Sequence, residues 1–142
     1  MKPIESVASF MLRALGGNAF KQRYNEAIAD GFLPCAPSTK IGEDRKLDTV
    51  DVFGAAIFEQ CLSFGFNARK AGEYTCLAVD AIRAYGSFKI LKVVIFQKGK
   101  SKVALCVGHV SELFEIEAVI TLSFDMDAIT DVVNRILEKR AE

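Results

Sequence analysis

One histidine, three prolines, no tryptophan and no net charge narrow this 142-residue chain before any motif is considered. His109 stands alone, and Cys35, Cys61, Cys76 and Cys106 form no Cys-x-x-Cys pair. A structural zinc site needs four converging thiolate or imidazole ligands, and this spacing does not suggest one. The cysteines are better taken as reduced thiols in a core. No segment reaches the roughly 18 uninterrupted apolar residues of a membrane span, and no charged-then-apolar signal segment opens the chain. Both absences lead us to expect a cytoplasmic protein with no membrane partner. Eighteen Lys and Arg balance eighteen Asp and Glu. That balance argues against indiscriminate binding to nucleic acid, although a neutral protein can still present one basic face.

Catalytic signals are as sparse. His109 has Ser111 and Glu112 nearby, but no nucleophile elbow or spaced acid completes a proton relay. Gly99 and Gly108 belong to no phosphate-binding loop, and Gly16-Gly17 lacks the pattern of a dinucleotide site. Asp125, Asp127 and Asp131 are spaced loosely like metal ligands, yet acids at a helix start are better explained by capping. No enzymatic activity, cofactor or metal is expected.

What is present is a folded composition, 51% hydrophobic and 25% charged. Apolar residues at helical spacing predict a helix over 6–15 (Val7, Phe10, Met11, Ala14, Leu15), stopped by Gly16-Gly17. A second over 18–30 carries Phe20, Tyr24, Ala27 and Ile28 on one stripe. The segment 32–48, with Pro34 and Pro37, is a loop or a short hairpin. Two longer helices follow: 49–64, capped by Thr49, with Val52, Phe53, Ala56, Ile57, Cys61 and Phe64 inward, and 67–83, capped by Asn67, with Ala71, Tyr74, Ala78, Ala81, Ile82 and Tyr85 inward.

After Gly86 the pattern becomes that of strands, over 88–96, 102–107 and 116–124, the last alternating cleanly. A final amphipathic helix over 125–140 carries Met126, Ile129, Val132, Val133, Ile136 and Leu137 as one stripe that needs a sheet or a partner to cover it. The expected architecture is α+β: a helical domain over 1–85, then a three-stranded sheet with a closing helix over 86–142 as a dimerisation or regulatory unit.

Several short elements, in order, resemble the N-terminal DNA-binding domain of MerR-type transcriptional regulators, a winged helix-turn-helix. Arg23-Tyr24 looks like that family's Arg-aromatic pair on the second helix, and Gly31-Phe32-Leu33-Pro34 like its exit. Arg45-Lys46-Leu47 falls where the basic wing strand returns, Asp51-Val52 matches the start of the third helix, and Gly65-Phe66-Asn67 its end. The likeness covers 6–84. It implies a winged helix-turn-helix fold, double-stranded DNA as partner and a transcription-regulating homodimer.

A helix entering the major groove must show polar or basic side chains outward. On the second helix these are Lys21, Gln22, Arg23 and Asn25, with a solvated helix face as the competing explanation. Lys40, Arg45 and Lys46 would touch the sugar-phosphate backbone from the wing, or else lie on an exposed loop. Arg69 and Lys70, just after the Asn67 cap, sit where free backbone amides attract phosphate. Lys89, Lys92, Lys98, Lys100 and Lys102 form a second basic group, better explained as protection of an edge strand. Glu112, Glu115 and Glu117 are its acidic counterpart. The alternative function is a non-catalytic protein-interaction or adaptor module that has lost DNA binding and takes a protein partner on the C-terminal unit.

Overall fold

The structure, a computed structural model, describes residues 7–37, 46–86, 90, 92–98, 100–107 and 121–141. Its elements run α1 (Val7–Ala29), α2 (Thr49–Phe64), α3 (Ala68–Tyr85), β1 (Lys92–Lys98), β2 (Ser101–Val107), β3 (Thr121–Asp125) and α4 (Met126–Ala141).

The two short helices expected before residue 30 are the two arms of α1. They meet at Gly16 and Gly17, where the backbone leaves the helical region, and Gly17 has φ 81° and ψ −174°. That conformation is closed to a residue with a Cβ, so the Gly-Gly pair sets the corner. The first arm buries Ala8, Met11 and Leu12, with Phe10 and Leu15 half-buried and Ala14 exposed. The inward stripe is thus turned by about a residue from the sequence expectation. Apolar residues cover more than one face of this arm, and contact with the other helices decides between the faces.

In α2 the cap is Asp48 rather than Thr49. The Asp48 side chain accepts from the Asp51 amide at 2.8 Å, and Asp51 accepts from the Asp48 amide at 3.0 Å, a reciprocal capping box. Val52, Phe53, Ala56, Ile57 and Cys61 are buried as expected, but Phe64 is 79% exposed. Phe64 is the last residue before the left-handed turn at Gly65, and Phe66 packs instead against the Tyr74 ring, at 5.1 Å between centroids. Asn67 caps α3 as expected, its side chain accepting from the Lys70 amide at 2.9 Å. The buried face of α3 is Ala71, Gly72, Thr75, Ala78, Val79 and Ile82, while Tyr85 is 42% exposed.

The sheet is antiparallel with order β2-β1-β3. β1 is central, pairing Val93 with Cys106 and with Phe124, and Val93, Val94 and Ile95 are all buried. Residues 116–120 of the expected third strand, and the hairpin tip at Gly99, lie outside the described residues. β3 runs straight into α4, whose first turn is held by the Asp125 carboxylate, accepting from the amides of Asp127 at 3.0 Å and Ala128 at 3.3 Å. Met126, Ile129, Val133 and Ile136 of α4 are buried, and Val132 and Leu137 are each 43% exposed. One continuous hydrophobic cluster takes in α1, α2, α3, β1 and α4, on both sides of residue 85.

The cysteines depart from the sequence expectation. Cys35 and Cys76 are joined as a disulfide, with Cα atoms 5.3 Å apart, while Cys61 and Cys106 are buried thiols. Burial pushes the Cys61 thiol up to about 12, so it stays protonated. The pairing was invisible in the spacing because the partners are 41 residues apart and meet only through the packing of 32–36 along α3. There, a Cβ at Gly72 would run into the Phe32 carbonyl, one helical turn from Cys76. A crosslink closing a loop of this length stabilises by about 4 kcal/mol through the unfolded state. The oxidised protein should therefore resist urea by about that margin over the Cys35→Ser/Cys76→Ser variant, and equal midpoints would contradict the crosslink.

Candidate nucleic-acid interface

The second arm of α1 is held by its aromatic residues. Phe20 and Tyr24 are buried, and with Phe58 of α2 they form a triangle of rings, each pair 6.1 Å apart between centroids. Ala27 completes the inward stripe, and Ile28 is half-buried. Tyr24 is thus a core residue, as its helical spacing predicted.

Because 3.6 residues make a turn, Gln22 faces away from these anchors and Lys21 and Arg23 fall on opposite flanks. Gln22 and Arg23 are exposed, and Lys21 and Asn25 are half-buried on the flank away from Arg23. Asn18, Lys21, Gln22, Asn25, Glu26 and Ala29 border one shallow hollow. Gln22 donates from Nε2 to Glu26 Oε1 at 3.0 Å, so a carboxylate shares the ridge with the amides and cations. A surface bearing guanidinium, ammonium, amide and carboxylate groups can offer donors and acceptors to base edges.

The remaining predicted contacts divide. Lys46 is exposed, two residues before the α2 cap, whereas Lys40 and Arg45 lie outside the described residues. Arg69 lies over the Phe32 ring, 5.5 Å from its centroid, which joins the start of α3 to the segment leaving the second arm. Lys70 is engaged with Glu73 at 3.5 Å, and its backbone amide is taken by the Asn67 side chain. The Lys70 amide is therefore spent on capping rather than available to an anion. Lys102, on edge strand β2, binds Glu73 at 2.7 Å and lies over the Tyr74 ring, tying the sheet to α3. Of the remaining lysines of that group, Lys89 is outside the described residues, as are His109 and Glu112, Glu115 and Glu117.

Sequence reasoning missed one electrostatic cluster. Arg83 near the end of α3 reaches back to the α2 cap, with Nη1 to Asp48 Oδ2 at 3.1 Å and Nη2 to Asp51 Oδ1 at 2.9 Å. The Asp-x-x-Asp spacing was a readable capping signal. Its guanidinium partner, more than thirty residues on, was not. The Arg83 hydrogen bonds hold the Asp48 carboxyl below its ordinary range, whereas burial raises that of Asp51. Among the described residues no group of three or more His, Cys, Asp or Glu converges as a metal site would require, and no helix is long and apolar enough to cross a membrane. No protein-family model matches the chain, and no curated protein matches it.

The cluster has a pH signature. A depressed carboxyl stabilises the fold above its unfolded value, 3.8 for Asp48, and that contribution is lost as pH falls through the folded value. Arg83→Ala should therefore cost about 1 kcal/mol at neutral pH, and less at an acid pH below the lowered Asp48 value, where that carboxyl is protonated in both proteins. Urea unfolding at the two pH values checks this, and an equal cost at both would contradict it.

Proposed function

We propose that this chain is a sequence-specific, DNA-binding transcriptional regulator that works as a homodimer. In this reading residues 1–85 form a winged helix-turn-helix of MerR type and 86–142 form the unit that pairs or regulates it. The observation that carries the reading is the polar surface of Lys21, Gln22 and Asn25, presented opposite the buried Phe20, Tyr24 and Ala27, with the exposed Arg23 on its other flank. An α-helix fits the major groove, and a ridge of this composition has the donors and acceptors to read it.

The roles follow from chemistry. Arg23 is suited to the paired acceptors of guanine, Gln22 and Asn25 to the donor and acceptor of adenine, and the Glu26 carboxylate to the amino group of cytosine. Lys21 at the ridge edge and Lys46 after the wing segment supply phosphate contacts that add affinity without reading sequence, as would Lys40 and Arg45. Arg69 belongs to the same backbone-contacting set, and Lys70 joins it only by giving up its pairing with Glu73. A single module of this size reads few base pairs, so two copies on a two-fold site provide the specificity. In this reading the chain works in the cytoplasm, where disulfides are usually transient. In that compartment Phe32 against Gly72 and the buried Leu33 are left to hold the 32–36 segment in place.

The adaptor reading draws on a different surface, the apolar cleft beside Phe64 and Val132. Duplex binding separates the two. Binding to a selected duplex should weaken steeply with salt, with a slope near −0.9 for each phosphate neutralised. Arg23→Glu should abolish preference for the selected site while leaving the circular dichroism spectrum and melting unchanged. Salt-independent or absent duplex binding would favour the adaptor, and unchanged preference in Arg23→Glu would remove the second arm from the mechanism.

A further inference from the structure

We propose that α4 is one half of a two-fold seam, against which the α4 of a second copy of this chain lies antiparallel, with the axis level with Val133. Its purpose rests on the reading of a dimeric regulator; its chemistry does not.

Residues four apart on a helix share a stripe, and Asp127, Asp131, Arg135 and Lys139 are spaced in this way. All four are exposed on α4, and none forms an ion pair among the described residues. The stripe carries two negative charges and then two positive ones. Laid antiparallel on a copy of itself, it sets Asp127 against the second copy's Lys139 and Asp131 against the second copy's Arg135, each pair occurring twice. Laid parallel, it sets like charge against like. The pattern is self-complementary in one orientation only, which is the requirement of an isologous contact that closes as a dimer.

An apolar strip adjoins the charges. Ala128 and Val132 are exposed on the next row, and the small side chain at 128 lets two helices approach closely. Beyond them opens a cleft of about 610 Å³ between the end of α2, β3 and α4, floored by Phe124 and Ile129 and edged by Phe64. Phe64, the most exposed of the large hydrophobic residues, stands at its rim. The charges supply orientation and register, and the strip with its cleft supplies the surface removed from water.

Charge reversal tests the seam, with oligomeric state read by sedimentation in the absence of DNA. The unmodified chain should sediment as a dimer at micromolar concentration. Asp131→Arg makes its stripe positive over residues 131–139, and Arg135→Asp makes its stripe negative over residues 127–135. Each alone should raise the dimer dissociation constant by about a hundredfold or more. An equimolar mixture of the two should form a heterodimer, and the Asp131→Arg/Arg135→Asp double variant should again pair with itself. Circular dichroism checks that each variant keeps its helices; should a single variant fail to fold, the double variant alone decides. If the charges served only the helix dipole or an intrahelical pair, mixing would restore nothing. A monomeric unmodified chain, single variants that stay dimeric, or a mixture or double variant that stays monomeric would each overturn the seam. A chain that still dimerises but binds no duplex leaves the seam standing and overturns the regulator reading alone.

Discussion

The contact on which the rest of the molecule depends is the triangle of Phe20, Tyr24 and Phe58. A twelve-residue helix arm has little stability of its own, because nucleation is costly and few hydrogen bonds follow it. Burying two large rings against α2 supplies what propensity cannot, and each aromatic pair adds about 0.5–1.5 kcal/mol beyond its buried area. The triangle also sets the rotation of the arm about its axis. Once Phe20 and Tyr24 point inward, Gln22 must point out, with Lys21 and Arg23 on opposite flanks, so the composition of the exposed surface follows from the position of two rings.

A second constraint fixes where the chain goes after that arm. Residues 32–36 run along α3, with Phe32 lying where a side chain at 72 would be, Arg69 stacked over the Phe32 ring, Leu33 buried and Cys35 bonded to Cys76. Gly72 and Cys76 are one turn apart on the same face of α3, so backbone contact and crosslink act on one short length of chain. The same helix meets the α2 cap through Arg83 and strand β2 through Glu73 and Lys102. α3 is thus the element to which the exit segment, the second helix and the sheet are all tied.

Most of the architecture was legible in the sequence because it is written in local chemistry. Gly16-Gly17, Gly65 and Gly86 mark real ends or corners, Asn67 is a real cap, and the inward positions of 18–30, with Met126, Ile129, Val133 and Ile136 of α4 but not Val132 or Leu137, follow from spacing. What was not legible depends on contacts between distant segments. The bond between Cys35 and Cys76 and the reach of Arg83 to Asp48 and Asp51 join residues 32 to 41 positions apart, which no periodicity announces. Phe64 was misplaced because a helical pattern does not say that the last turn gives way to a left-handed cap, after which Phe66 takes the inward place. Of the proposed contact residues, Lys21, Gln22 and Asn25 border one hollow, and Arg23 is exposed on the other flank of the arm. Lys70 is paired within α3, and Arg69 is stacked on Phe32.

The central claim is that the outward ridge of the second arm meets a DNA base edge. Amide and side-chain resonances followed during titration with a selected duplex report it directly. The account predicts that the largest shifts fall on Lys21, Gln22, Arg23 and Asn25, including the Gln22 side-chain amide as it leaves Glu26, with Lys46 following and the α4 resonances little changed. Shifts confined to α4 and the Phe64 cleft, with the ridge silent, would contradict it.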